Sequence, residues 1–464
     1  MRSLKYLAPE DLRMELFGTA GIRGPAQSEV TPALVVSLGR AAAEDGTEFV
    51  IGRDGRETGQ TLSFALNAGL QSGGADVIQL GQVPTPALAF ASRGRRGIMI
   101  TASHNPPADN GLKFFVDGAE YDRNAERRLE SRLESEISPI GWDQWGARTS
   151  GVVLETYRAA VSSYVREKAG ICDGVRVAVD CGNGVSSLVT PQILEELGAT
   201  VRTLNANIDG HFPGRESKPT PETLRDLSAF VADGPFDLGI GHDGDGDRIV
   251  VIDSSGEVVH EDTVLAIIAR QYTKTSNAIE PTVITTPNAS GRIDEQVEAA
   301  GGWVRRVPLG GLHEGITAIE DQTDSDATIV FAAEPWKHLH TDFGAWIDAT
   351  VSAGMITALV GKHGFAALRE SITERPYRKI NVECPDEHKL AVMGALQSRL
   401  AETFSEADIE TEYGVRLSFS DNSWVLVRPS GTEPYIRVYA ESDTVEQLVG
   451  TVRQTIERAI AETH

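Results

Sequence analysis

Three short segments gather the side chains that can do chemistry. In TASHNPPADNGLKFF (101–115), the apolar stretch 97–101 ends just before Ser103. Pro106 and Pro107 keep a helix from absorbing the loop, so the Ser103 hydroxyl is presented on a stiff turn beyond the carboxyl end of a strand, where ligands of open α/β sheets collect. A plain capping turn of Ser and Asn side chains is the competing explanation. In HDGDGDR (242–248), Asp243, Asp245 and Asp247 alternate with glycines behind the apolar DLGIG. Three such carboxylates repel one another unless a cation lies among them, and oxygen ligands on a Gly-relieved loop suit a hard ion such as Mg2+. The loop is not an EF-hand, because Arg248 stands where Gly is needed and Ser254 where a bidentate Glu is needed. An apolar strand followed by Asp-x-Asp also fits aspartyl-phosphate chemistry with Asp243 as nucleophile. In RPSGTEP (428–434), Arg428 offers a planar fork, Ser430 and Thr432 offer hydroxyls, Gly431 lets the backbone come close, and Arg437 follows. That describes a phosphate cradle or an ordinary hairpin turn. A nucleophilic hydroxyl, a divalent metal and a separate phosphate clamp together describe phosphoryl transfer to or from a small phosphorylated molecule.

The elements that must hold these loops follow one plan three times: an apolar strand, a Gly/Asp/Asn-rich turn, then a helical pattern. Residues 49–51 lead into GRDGRETG, 175–179 into DCGNGVSS and 282–286 into PNASGRIDEQVEAAG, and each helix ends in Gly before a second strand (73–81, 198–206, 301–310). This rhythm predicts parallel α/β layers repeated as three related α/β/α domains. After RPYRKINVECPDEHK (375–389) the pattern changes to a helix over 387–403, strands at 409–419, 423–428 and 435–440, and a helix over 444–461: a smaller C-terminal α+β domain. The expected divisions are 1–147, 148–252, 253–373 and 374–464.

The 464 residues carry 43 Lys+Arg against 67 Asp+Glu, a formal net charge of −24. That length suits three or four domains with cores of their own, and 41% hydrophobic with 24% charged content is that of a soluble globular chain. Lysine occurs at only nine positions, so arginine supplies most of the positive charge. An acidic surface short of lysine stays hydrated in brine, which points to a salt-adapted cytoplasm. The same charge repels DNA, RNA and anionic membranes, and no basic stripe offsets it. Cys172, Cys181 and Cys384 lack CxxC spacing and read as inert thiols. The first residues carry charges where a signal peptide needs an apolar region, and no apolar run approaches the ~18 residues of a membrane helix. The expected location is cytoplasmic.

In this order, the segments resemble the α-D-phosphohexomutases, the superfamily of phosphoglucomutase, phosphomannomutase and phosphoglucosamine mutase. The resemblance runs from GTAGIRG at 18–24 through TASHNPP and DGDGDR to RPSGTEPYIRV at 428–438. It implies a four-domain, heart-shaped enzyme whose central cleft receives one loop from each domain. Ser103 would be phosphorylated in the resting enzyme, and Asp243, Asp245, Asp247 and a phosphoserine oxygen of Ser103 would hold one Mg2+ per chain. Phosphoserine beside three carboxylates involves repulsions of roughly 4 kcal/mol each at about 4 Å and intermediate dielectric, so the metal is obligatory. Arg23, His104, Asn105, Lys113 and Arg248 would surround the phosphoryl group in flight. Lys113 is the candidate general acid/base, since a lysine among cations loses its proton more easily. Arg428, Ser430, Gly431 and Thr432 would grip the other phosphate, and Arg23, Arg53, Arg248, Arg428 and Arg437 would line the cleft. A sugar 1,6-bisphosphate would prime the enzyme, its partner would be a small hexose phosphate, and the chain would be a monomer or homodimer.

Two loops depart from the family's pattern. The sugar-reading Gly-Glu-x-Ser-Gly-His is here Ala333-Glu334-Pro335-Trp336-Lys337-His338, which keeps Glu334 and His338 for the sugar hydroxyls but puts Trp336 for Ser and Lys337 for Gly. A neighbouring Gly-x-Lys or Gly-x-Arg loop reads Gly310-Gly311-Leu312-His313, without a cation that Lys337 could replace. The reading is a glucose or mannose phosphate mutase, with glucosamine phosphate as the closest alternative substrate. A metal-dependent sugar phosphatase and a non-catalytic sugar-phosphate sensor are the rivals from other classes.

Overall fold

The computed structural model describes residues 16–18, 21–134, 139–321, 326–430 and 433–463. Four sheets follow one another along the chain, and the expected α/β architecture with a C-terminal antiparallel sheet is present. In the first sheet, strands Glu48–Arg53, Asp76–Gln82 and Arg96–Ile100 run parallel. Sequence pattern alone does not mark the strand Asp109–Val116, which pairs antiparallel with Arg96–Ile100 on one side and with Ile22–Pro25 on the other. Gly111 permits that crowding: a Cβ there would sit 2.3 Å from the Ile22 carbonyl oxygen and 2.6 Å from that of Thr101. The outer edge of this sheet is Arg148–Ser150, just past the expected division at Ala147, because extended chain there pairs with Asp76–Gln82.

The second sheet orders Ile249–Asp253, Leu238–His242, Arg176–Asp180 and Thr200–Leu204, with the first pair antiparallel and the rest parallel. The third sets Trp303–Arg306, Glu280–Thr285 and Ala327–Glu334 parallel and ends in a hairpin to Lys337–Leu339. The fourth is wholly antiparallel and is backed by helices Asp386–Thr403 and Val445–Thr463.

Separate cores were expected for the units, and each has an apolar cluster of its own: Phe17 to Leu129 in the first, Ala178 to Ile252 in the second, Ile284 to Leu339 in the third and Val382 to Ala459 in the fourth. A further cluster runs from Val50 of the first unit through the second to Ile372 at the end of the third. Its axis is helix Ala349–His363, buried from Ala349 to Val360. Such a helix is apolar all round, as an element packed on every side must be. Asp348 starts it by accepting the amides of Thr350 and Val351 at 3.0 Å, and takes the Tyr157 hydroxyl at 2.9 Å, which ties the third unit to the second. Cys172, Cys181 and Cys384 are free and buried, and burial raises the thiol pKa of Cys172 and Cys181 to about 12. Among the described residues, no helix is long and apolar enough to cross a membrane.

Candidate active site

Strand Arg96–Ile100 delivers Ser103 to the top of the first sheet, and strand Leu238–His242 delivers Asp243 to the top of the second. The two loops meet: Ser103 Oγ donates to Asp243 Oδ2 at 2.7 Å, and both residues are fully buried. Ser103 has a positive φ of 50°, a conformation an L residue holds only when its surroundings enforce it. They do so from both sides. Its amide donates to Thr101 Oγ1 at 2.8 Å, while its carbonyl accepts from Arg56 at 2.9 Å and from Ser217 Oγ at 3.0 Å. The Arg56 guanidinium also donates to the carbonyls of Asn105, Pro106 and Asp109, with its Nε on Asp54 Oδ2 at 3.1 Å. Ser217 also accepts the Gly244 amide at 3.1 Å, stitching the serine loop to the aspartate loop.

The three aspartates expected to hold a metal bring carboxylate oxygens within 4.8 Å of one another, and all are buried. Asp243 Oδ1 accepts the amides of Gly246 and Arg248, at 3.1 and 3.2 Å. Asp245 Oδ2 accepts Thr85 Oγ1 at 2.6 Å and Lys113 Nζ at 2.9 Å, and Asp247 Oδ2 accepts Lys113 Nζ at 2.6 Å. The Oδ1 atoms of Asp245 and Asp247 are buried without a hydrogen-bond partner among the described residues. Buried anionic oxygens are rarely left unpaired, so this donor set fits a hard divalent cation. Burial and the two neighbouring carboxylates push the Asp243 pKa up. For Asp245, burial acts upward, but Lys113 and the Thr85 hydroxyl prevail and hold it below the usual carboxylate range.

Lys113 departs from its expected setting. It lies not among cations but between Asp245 and Asp247, 2% exposed. Burial works to strip its proton, but the two carboxylates act the other way and raise the pKa above that of ordinary lysine. His104 lies 3.3 Å from Ser103 Oγ through Nδ1, and burial, then Arg248 and Arg23, lower its pKa to about 3, leaving it neutral. Arg248 Nε stands 3.9 Å from both Asp243 and Asp247, and Arg23 is set opposite Gly111 on the neighbouring strand. Asn105 turns its amide to Asp109 at 3.0 Å, and Arg53 bonds to the Asp54 carbonyl and to Gln60; both serve their own loops.

The third and fourth units add the remaining expected groups. Glu334 closes the hairpin to Lys337, accepting the Gly310 amide on Oε1 and lying 3.5 Å from Lys337 Nζ through Oε2. His338, expected to meet sugar hydroxyls, is instead 2% exposed, with Nδ1 on Ser352 Oγ at 2.7 Å. The period-two alternation of a strand turns it inward when Lys337 turns outward. Trp336 adopts a φ of 71° and packs on the apolar cluster of Leu224 and Val250 in the second unit. In the fourth unit, Arg428 and Arg437 are cross-strand neighbours, with Arg437 also bonded to Glu433. Two cations side by side repel unless an anion joins them. Ser430 is bound through its carbonyl by Lys389 Nζ at 2.7 Å. Gly431 and Thr432 lie outside the described residues.

Sequence reasoning missed Arg56, Thr85, Thr101, Ser217 and Lys389. The only local signal was Asp54-x-Arg56 inside the first Gly-rich turn; the others become partners across long stretches of chain. A cavity of about 710 Å³ opens beyond Gly310 and Gly311, between Glu120–Arg123 and Tyr413. Its walls do not include Ser103, so the chemistry is assigned by the serine and aspartate loops rather than by this cavity.

The family models for phosphoglucomutase/phosphomannomutase match this chain in three places: alpha/beta/alpha domain I over residues 14–139, alpha/beta/alpha domain II over 155–256, and the C-terminal domain over 380–458. A phosphopentomutase of Thermococcus kodakarensis is 40% identical over 97% of this chain and 99% of its own. A probable phosphoglucosamine mutase of Methanopyrus kandleri is 38% identical over 95% and 98%. The crystal structure of a phosphoglucomutase/phosphomannomutase family protein from Burkholderia thailandensis superposes with a TM-score of 0.83 at 23% identity, covering 97% of each chain, which speaks for the fold. With domain matches at both ends and relatives aligned over nearly its whole length, the chain belongs to the phosphoglucomutase/phosphomannomutase family of the α-D-phosphohexomutase superfamily.

Proposed function

We propose that the chain interconverts the 1-phosphate and 6-phosphate of a hexose of the glucose or mannose type, using Ser103 as the carrier of the phosphoryl group. The observation that supports this most directly is the Ser103 hydroxyl, held in a strained, fully buried turn with its hydrogen directed at Asp243 Oδ2 at 2.7 Å. Mg2+ held by Asp243, Asp245, Asp247 and an oxygen of phosphorylated Ser103 would neutralise charge on the phosphoryl group. Arg56 and Ser217 keep the serine backbone in place. Arg248, Arg23 and neutral His104 border the phosphoryl group, and Lys113 stays charged and supports Asp245 and Asp247. The second phosphate lies on the fourth unit, between Arg428 and Arg437 and against Ser430, while Glu334 faces the sugar hydroxyls. Ser103 gives its phosphoryl group to the free end of the sugar, the bisphosphorylated sugar turns over, and the other phosphate returns to Ser103. The clamp therefore grips charge and not a particular carbon.

A phosphatase with Asp243 as nucleophile fits less well, because both Asp243 oxygens already accept hydrogen bonds from the chain. The test is a coupled assay in molar salt with sugar 1,6-bisphosphate as primer. Ser103→Ala is expected to abolish interconversion, and intact mass is expected to show one phosphoryl group on the wild type and none on the variant. Release of inorganic phosphate by an active Ser103→Ala enzyme would instead establish the phosphatase. Because relatives carry the names phosphoglucosamine mutase and phosphopentomutase, glucosamine and pentose phosphates are the comparators.

A further inference from the structure

The turn between Ala327–Glu334 and Lys337–Leu339 contains only Pro335 and Trp336. Such a turn needs a positive φ at its second position, where glycine is the ordinary occupant. Trp336 takes that position at φ 71°, and its indole rests on the second unit's apolar cluster. The strain is held in place by contact with another unit, so the tip of this hairpin is fixed and cannot swing. Two charges stand at the fixed tip. Glu334 and Lys337 are cross-strand neighbours 3.5 Å apart, with side-chain exposures of 13% and 22%. The other Glu334 oxygen takes the Gly310 amide, so neither oxygen is without a donor. Across from them, Arg428 of the fourth unit lies near enough to feel the Glu334 charge. Arg437 stands beside Arg428 on the neighbouring strand and pairs with Glu433.

We infer that Lys337 neutralises the carboxylate presented to the sugar and thereby selects phosphosugars bearing neutral hydroxyls over 2-amino sugar phosphates. This rests on the reading in which Glu334 faces the sugar. An ammonium on the sugar gains little from a carboxylate that already has a cation, and it stands close to the Lys337 charge. A neutral hydroxyl loses nothing by it, since it can still donate to a Glu334 oxygen. A single like-charge encounter at partial burial shifts a substrate ratio by about tenfold or more.

The experiment compares glucose 1-phosphate, ribose 1-phosphate and glucosamine 1-phosphate as substrates of the wild type and of Lys337→Gln. The same three ligands are titrated into Ser103→Ala to read binding without turnover. The wild type is expected to prefer a neutral sugar by at least about tenfold in kcat/KM. Lys337→Gln narrows that preference by about tenfold, mainly through KM for the amino sugar. The wild-type preference also shrinks as pH rises and the sugar amine loses its proton, a dependence that a merely structural lysine would not produce. An unchanged ratio in Lys337→Gln, or a wild type that favours the amino sugar, overturns the inference. If no sugar is turned over while Ser103→Ala still binds the neutral ones selectively, the mutase reading fails and the selectivity stands. Glucose against ribose shows which neutral sugar the fixed hairpin admits.

Discussion

Arg56 shows how a side chain that never needs to touch substrate can decide whether a nucleophile exists. One guanidinium, 1% exposed, holds the carbonyls of Ser103, Asn105, Pro106 and Asp109, and Asp54 holds the guanidinium. Arg56→Ala leaves these buried carbonyls and Asp54 without their partner, which is expected to destabilise the fold by roughly 3–5 kcal/mol in denaturant titration and to remove activity even where folded protein is recovered. Arg56→Lys should restore part of the stability but little activity, since a point charge cannot reproduce a fork. Buried histidines set a second expectation. Burial lowers the His338 pKa to about 3, against about 6.5 unfolded. Above pH 6.5 both states are neutral and the residue contributes no pH dependence. As pH falls below 6.5 the unfolded chain takes up the proton and the native chain does not, so stability is lost at roughly 1.4 kcal/mol per pH unit from this residue. Replacing it by a non-titrating residue, His338→Gln, should therefore flatten the stability profile between pH 6.5 and pH 4, measured by chemical unfolding at fixed salt. An equal slope in both proteins would rule that out.

At the scale of elements, the site depends on how closely strands approach. Asp109–Val116 carries Lys113 on one side of its register and Gly111 two residues earlier, where Ile22–Pro25 and the Thr101 carbonyl crowd in. Gly111→Ala would place a methyl within 2.6 Å of two backbone oxygens, and backbone cannot swing aside as a side chain can. The strands must part, moving Arg23 on one and the approach to Ser103 on the other. The expected result is a folded protein with kcat lowered about 100-fold, since displacements near 1 Å are enough for that loss. A variant with wild-type kcat would show that the crowding is relieved without moving the site.

At the scale of the molecule, the division of the core predicts how the chain comes apart. One apolar cluster around helix Ala349–His363 joins the first three units in addition to the clusters each keeps, whereas the fourth unit takes no part in it. Its junction with the third is polar: Glu441 receives Arg292, Ser290 and the Trp424 indole, all buried. Calorimetry should therefore resolve two transitions, with the three-unit block unfolding as one. Glu441→Gln leaves Arg292 buried without its anion, and is expected to lower the fourth unit's transition by about 3 kcal/mol or more with little effect on the other. A single transition shifted as a whole would mean that the junction is as cooperative as the cores.

Sequence alone determined the three repeating α/β units, the separate last unit and the serine, aspartate and arginine loops, because strand and helix periodicity, glycine spacing and clustered like charges are local properties of a chain. It also marked the altered hairpin at Trp336 and Lys337. Tertiary structure alone decided the surroundings of each group. It turned Lys113 from a lysine among cations into one between carboxylates, and it turned His338 inward. It also recruited Arg56, Ser217 and Lys389 as the scaffold and joined the first three units through a further, shared apolar cluster. Each of those outcomes depends on which distant segments pack together, and a pKa or a strained φ is fixed by those neighbours and not by spacing along the chain.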